Sequence, residues 1–250
     1  MIKRITYIPA IIARPSSNGF SLVELLIVIA ITSILAFLAL PTLQSLQKSS
    51  GFTKSVYELA DNVNYARSYA LSEDTYVYVG LTEVDRMQNP STTPQAAGFG
   101  RVVMGTVASK DGTNLDGVAY NSANLIQVRP PTMLDMLYLA PTLPTATTGG
   151  MVRPSSNVSN IKGGSSVFTM PFSLPLGTAL NAGKYNFTSA IPFNPQGEIT
   201  VNGSAVQWIE IDLQPYLGSA VPPPPASATQ GNQAALIIDG ATGALSVFRP

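Results

Sequence analysis

Residues Asn18–Leu46 read NGFSLVELLIVIAITSILAFLALPTLQSL, and this stretch decides the fold of the N-terminal region. From Phe20 to Leu40 the side chains are apolar almost without interruption. As a helix this 21-residue run would be roughly 32 Å long, close to the roughly 30 Å hydrocarbon core of a bilayer. Glu24 is the exception, because a carboxylate inside a membrane costs about 2.5–3.5 kcal/mol. The stretch predicts a membrane-spanning helix with one acid that needs an explanation.

The charge distribution limits the possible functions. The 250-residue chain has 14 basic and 14 acidic residues, and Lys3, Arg4 and Arg14 all precede Gly19. The remainder therefore carries 11 basic and 14 acidic residues, a net charge of −3. That balance does not favour nucleic-acid binding. The cations before the apolar run predict a cytoplasmic N-terminus, with the bulk of the chain outside.

The composition argues against most enzymes. The chain has no Cys and no His, which excludes thiol nucleophiles, disulfides, Ser-His triads, and zinc or iron sites that need these ligands. We therefore expect no enzymatic activity and no cofactor. Twenty Gly, twenty Pro and only 11 % charged residues are typical of a β-rich extracytoplasmic domain with long loops.

Two ordinary interpretations of the N-terminus are an uncleaved signal anchor and a secretory signal peptide. A secretory peptide usually has a shorter apolar region followed by small residues at a cleavage site. Here the run is long enough to span a bilayer, and Pro41-Thr42-Leu43 is a poor small-residue site. By length and charge alone, the single-pass anchor is favoured.

The motif GFSLVELL (Gly19–Leu26) closely resembles the processing site of type IV prepilins and type II secretion pseudopilins. This resemblance implies that prepilin peptidase cuts between Gly19 and Phe20 and N-methylates Phe20. It also identifies Glu24 as the acidic residue of the family and Pro41 as its helix-bending proline. The leader differs from many in being long and partly apolar, from Ile5 to Ala13.

The resemblance also implies a role for Glu24. After cleavage Phe20 would carry a positive amine, and Phe20 and Glu24 would share one helix face at i and i+4. In a filament the acid would pair with the amine of a neighbouring subunit, and the pairing would recover desolvation energy. Glu24 would then favour assembly and set the axial register between helices.

The implied organisation has three parts. These are a leader (1–19), a transmembrane and filament-core helix (20–41), and a periplasmic head (42–250). The expected partners are prepilin peptidase, other pilin or pseudopilin subunits, and the inner (cytoplasmic) membrane. The expected final location is a pilus or pseudopilus.

Beyond Pro41 the helical pattern continues. An apolar stripe recurs at intervals of 4, 3, 4, 3 and 4 residues: Phe52, Val56, Leu59, Val63, Ala66 and Ala70. This predicts one helix from about Phe20 to Leu71, weakened at Gly51. Pro41 predicts a bend in it rather than a stop.

The rest of the chain predicts strands and long loops. Predicted strands cover 75–81, 101–108, 125–129, 166–172, 207–213, 236–240 and 243–248, with 133–139 either strand or short helix. Predicted loops cover 82–98, 141–164 and 215–233, the last with four consecutive prolines at 222–225. The predicted fold is α+β and pilin-like, with the long N-terminal helix packed on an antiparallel sheet.

Within the pilin superfamily, residues 60–71, 76–79 and 191–197 and the closing hairpin resemble the GspH/FimT branch of minor pilins and pseudopilins. A fainter likeness, in 75–80 and 109–114, is to prepilin-like cassette proteins of Verrucomicrobia. The resemblance implies a structural subunit of a type IV pilus or type II secretion pseudopilus. The alternative is a DNA- or ligand-binding tip subunit used for uptake or adhesion.

Two further sites are weak candidates. Asp111, Asn114 and Asp116 in DGTNLDG could supply oxygen ligands to Ca²⁺, although the same residues are ordinary turn formers. Some FimT-like pilins bind DNA through C-terminal basic residues, but the tail GALSVFRP contains only Arg249. No other metal site is expected.

Overall fold

The computed structural model describes residues 21–144, 152–154, 156–162, 170–201, 204–216, 218 and 232–249, with the side chains of 39–48 and 205 excepted. It divides into two compact units, Met1–Ser45 and Leu46–Pro250. The predicted leader, with Gly19, and Phe20 beyond it lie outside the described residues, as do the four prolines at 222–225.

The N-terminal helix α1 runs from Leu22 to Glu73. Its residues up to Ser45 belong to the first unit, and those from Leu46 onward belong to the second. The predicted long helix is therefore present, with bounds within about two residues of those expected. The helix continues past Pro41 and Gly51, so neither residue ends it. A bend at Pro41 remains a prediction.

In the second unit, α1 buries the apolar stripe that the sequence predicted. Phe52, Val56, Leu59, Val63, Ala66 and Ala70 are all 0 % exposed. They form one core cluster with residues from both of the larger sheets described below. Because most helical stability in proteins comes from packing an apolar face, this burial explains why the helix persists through Gly51.

Strands follow α1 along the described chain. They are β1 (Val77–Asp85), β2 (Gly100–Ser109), β3 (Leu125–Asp135), β4 (Leu137–Ala140), β5 (Val158–Asn160), β6 (Phe172–Leu174), β7 (Tyr185–Phe187), β8 (Ala190–Phe193), β9 (Thr200–Val201), β10 (Ser204–Ala205), β11 (Trp208–Pro215), β12 (Ala234–Asp239) and β13 (Leu245–Phe248). A short 3₁₀ turn, Ser122–Asn124, precedes β3.

Sheet A has the strand order β3-β2-β1-β8 and is antiparallel throughout. Side chains alternate between its faces. Val77, Val79 and Leu81 of β1 belong to the core cluster of α1. Tyr78 belongs to a second cluster on the other face, with residues of the β6–β7 hairpin. Sheet A is therefore packed on both faces.

Sheet B has the order β13-β12-β11-β4, with antiparallel neighbours, and β5 pairs in parallel with β11. On β11, Ile209, Ile211 and Leu213 join the core cluster of α1. The intervening residues Glu210 and Asp212 point to the opposite face and are also buried. The α+β prediction is confirmed.

Several predicted boundaries were wrong. Residues 82–85 continue β1 because Val84 is buried, although they were assigned to a loop. Strand β3 continues through Pro130 and Pro131, which an edge strand of a sheet tolerates. Residues 133–139 are strand, divided between β3 and β4 at Met136, which has a positive φ of 62°. The loop predicted over 141–164 contains β5.

Candidate functional site

The first described turn of the chain places Glu24 near the start of α1. Ser21 precedes the helix, and its carbonyl oxygen accepts a hydrogen bond from Leu25 N at 3.1 Å, as an N-cap residue does. Glu24 lies in the first helical turn and is exposed. An acid at this position is favoured by the positive end of the helix dipole. Within the described residues, no salt bridge to Glu24 is present.

Around Glu24 the first unit presents an apolar surface. The large apolar side chains from Leu22 to Leu38 are exposed, including Leu22 at 79 % and Phe37 at 75 %. A helix that is apolar on all sides is normally buried in a larger assembly or in a membrane. Extended exposed apolar surfaces mark such contacts. This segment is therefore an interaction element.

The polar side chains within this segment do not oppose apolar contact. Thr32 Oγ1 donates to Val28 O at 2.8 Å, and Ser33 Oγ donates to Ile29 O at 2.7 Å. Both hydroxyl donors are thus satisfied inside the helix. Glu24 is the single charged residue between 21 and 38. Among the described residues, no helix combines the length and the apolar character that crossing a membrane requires.

The weak calcium candidates form a turn. Asp111 Oδ1 accepts hydrogen bonds from Thr113 Oγ1 (2.7 Å), Thr113 N (3.1 Å) and Ser109 Oγ (3.0 Å). These bonds, led by that from the Thr113 hydroxyl, lower the pKa of Asp111. Asn114 Oδ1 accepts from Asp116 N at 2.9 Å and from the Tyr78 hydroxyl at 3.1 Å. The turn interpretation explains these contacts, and calcium binding stays the weaker, untested alternative.

Arg249, the single basic residue of the C-terminal tail, contacts α1. Its Nη1 donates to Thr53 Oγ1 at 3.2 Å. The guanidinium carbon lies 5.3 Å from the ring centroid of Tyr57 and 5.9 Å from that of Phe52. These are cation–π distances. Arg249 thus holds the tail on the helix, which limits its availability for nucleic-acid phosphates.

The sequence interpretation missed a buried charged cluster on sheet B. Arg153 forms ion pairs with Glu210 and, at 3.9 Å, with Asp212. Nine residues after Arg153, Lys162 pairs with Glu83 on β1 of sheet A, and burial raises the pKa of Glu83. A signal was present in Ile209–Leu213, where alternation places two acids on the face opposite the apolar residues. The basic partners, Arg153 and Lys162, lie more than 50 residues along the chain from the acids they pair with, so no local sequence pattern indicated the pairing.

Comparison with known families identifies the N-terminal region. Residues 14–40 match the model of the prokaryotic N-terminal methylation motif. The matched range contains Gly19, Phe20 and Glu24. It supports a type IV pilin-like protein that prepilin peptidase processes and that assembles with other pilins. No curated protein and no solved structure matches the chain.

Proposed function

We propose that the chain is a structural minor pilin or pseudopilin of the GspH/FimT type. Prepilin peptidase cuts it between Gly19 and Phe20, and helix 20–41 holds it in the inner membrane with the head in the periplasm. It then assembles with homologous subunits into a type IV pilus or a type II secretion pseudopilus. One observation carries the proposal: an exposed apolar helix within the matched motif has a single acid in its first turn.

The chemistry of the first turn supports this role. Cleavage gives Phe20 a free, positively charged amine four residues before Glu24, and this amine is then methylated. A lone subunit would keep this acid beside apolar surface, where its desolvation is unfavourable. A neighbouring helix brings an amine to it, and the ion pair recovers part of that energy. Glu24 therefore favours the assembled state and sets the axial register.

Substitution of Glu24 tests the proposal. Glu24→Ala should leave membrane insertion intact or improve it, since the charge is removed from an apolar helix. Assembly should fail or slow, because breaking one member of a poorly solvated ion pair costs about 3–5 kcal/mol. Glu24→Gln should be nearly as damaging. The measurement is co-purification with partner pilins, scored beside membrane fractionation.

The matched control is Glu73→Gln, which neutralises an exposed glutamate at the other end of α1. This variant should assemble at the wild-type level. If Glu24→Ala also assembles at the wild-type level, the acid does not set the register and the proposed mechanism is wrong.

The alternative tip subunit that binds DNA has less support. The chain after the predicted leader carries a net charge of −3, and Arg249 is engaged with α1. Both features weaken the counterion-release contribution that drives binding to phosphates. Electrophoretic mobility shift at low salt separates the two functions: strong binding that weakens steeply with salt would favour the tip subunit. The absence of His and Cys supports a non-enzymatic role.

A further inference from the structure

The outer face of β11 carries two acids in a buried environment. Glu210 and Asp212 are two residues apart and therefore share one face of the strand. Their side chains are 10 % and 1 % exposed. Burying one carboxylate is unfavourable unless it is paired, and burying two side by side is more so. The site therefore requires positive charge or a proton.

One guanidinium is present. The Arg153 side chain is 2 % exposed, and its Nε is hydrogen-bonded to Glu210 Oε1. Its Nη1 and Nη2 donate to Pro144 O (2.8 Å) and Leu143 O (3.0 Å). Asp212 Oδ1 is 3.9 Å from Nη2, beyond hydrogen-bond distance, and is buried without a hydrogen-bond partner. The positive charge of Arg153 thus neutralises the carboxylate of Glu210 fully and that of Asp212 only in part.

No other cation faces the pair from the packed elements described here. In the sheet register, β12 places Ala235 beside Asp212 and Ile237 beside Glu210, while β4 places Ala140 beside Asp212. The nearby Lys162 forms an ion pair with Glu83, and its Nζ lies 4.0 Å from the ring centroid of Tyr138. Asp212 Oδ2 accepts from the neutral Asn160 Nδ2 at 2.8 Å. With both acids ionised, the buried site would keep one uncompensated negative charge.

Both cations belong to one segment. Residues 152–154 and 156–162, here called the strap, carry Arg153 near one end and Lys162 at the other, with β5 between them. Strand β5 contributes three residues and is only partly buried. The strap is held by the pairing of β5 with β11, by a hydrogen bond from Ile161 N to Glu210 O at 3.1 Å, and by its two ion pairs, to Glu210 on sheet B and to Glu83 on sheet A.

We propose that the strap is a proton-dependent element, docked on β11 when Glu210 and Asp212 share one proton and released when that proton is lost. The shared proton reduces the pair to one negative charge, which Arg153 neutralises. Ionisation of the second carboxyl restores an unmatched buried charge, which release of the strap exposes to water. Release would leave the β11 edge from Trp208 to Glu210 without its partner strand.

The direction of the pH dependence follows from the docked state. Burial, with a further contribution from the Glu210 charge, raises the pKa of Asp212 to about 8. In the released state an Asp ionises near its ordinary pKa of about 4. Docking is therefore most favourable below about pH 4 and weakens as the pH rises. Above about pH 8 the contribution of the shared proton to the docking free energy is lost completely.

Trp208 reports on docking because it is the single tryptophan and pairs with Val158 of β5. The experiment is acrylamide quenching of Trp208 fluorescence in the full chain, in detergent, from pH 5 to 9.5. We expect quenching to rise reversibly as the pH increases and to level off by about pH 8, while far-UV circular dichroism stays constant. Asp212→Asn should abolish the transition, because one carboxylate then faces one guanidinium.

A second variant and a control keep the test decisive. Glu210→Gln should move the midpoint to higher pH or remove the transition, since Asp212 is then the sole acid beside Arg153 and its ionisation leaves no unmatched charge. Asp135→Asn, which removes an exposed acid paired with Arg101, should leave the midpoint unchanged. The proposal is overturned if wild type shows no transition, if both cluster variants keep the wild-type midpoint, or if circular dichroism shows global unfolding in the same range.

Discussion

At the scale of single residues, two glycines make room for an aromatic pair. Gly80 of β1 and Gly105 of β2 are direct cross-strand partners. The Phe172 and Phe187 rings stack above them with centroids 4.5 Å apart. A Cβ at Gly80 would lie 2.7 Å from Phe187 Cδ1, and one at Gly105 would lie 2.7 Å from Phe187 Cζ. The two rings of the β6–β7 hairpin therefore lie directly over sheet A at a point where neither strand has a side chain.

Gly80→Ala should lower the stability of the head. Ala normally stabilises a strand relative to Gly, but here the methyl group overpacks a core of fully buried rings, which costs about 1–3 kcal/mol. The measurement is the urea midpoint of the full chain. Gly51→Ala is the matched control, because its Cβ would meet no atom within 4 Å inside α1. That change should raise stability by up to about 1 kcal/mol, so equal effects of the two substitutions would contradict the account.

At the scale of elements, α1 was predictable and several strands were not. The stripe from Phe52 to Ala70 repeats with helical period, and every member is buried. Strands β5, β7 and β8 contain only three or four residues, too few for a period to be recognised. Their burial comes from tertiary packing, as with Phe187 above Gly80. The end of β1 was predicted wrongly for the same reason, because Val84 is buried by residues that are distant in the chain.

Leu59→Ala measures the contribution of the α1 stripe. Leu59 is fully buried in the core cluster that both sheets share. Removing its side chain leaves a cavity and should lower the free energy of unfolding by about 2–5 kcal/mol. Chemical denaturation monitored by circular dichroism provides the measurement. Asn64→Ala, on the exposed face of the same helix, should change it by less than about 0.5 kcal/mol. A small effect of Leu59→Ala would show that the stripe does not hold the head together.

At the scale of the whole molecule, the sequence predicts the processing motif and the α+β class but not the charged cluster. Gly19, Phe20 and Glu24 are recognisable because their spacing is local and the matched motif covers them. Arg153 and Asp212 become neighbours only after sheet B forms, since they are 59 residues apart. Asp111, by contrast, could be assigned to a turn from its own neighbours, and its hydrogen bonds are those of a turn.

The central claim is that prepilin peptidase converts this chain into a mature subunit beginning at Phe20. The most direct test is intact and N-terminal mass spectrometry of the full chain co-expressed with a prepilin peptidase, with the chain expressed alone as control. The account predicts loss of residues 1–19 and an N-methylated Phe20 only when the peptidase is present. An intact Met1, or cleavage after the apolar run, would contradict it and return the chain to a plain anchor or a secreted protein.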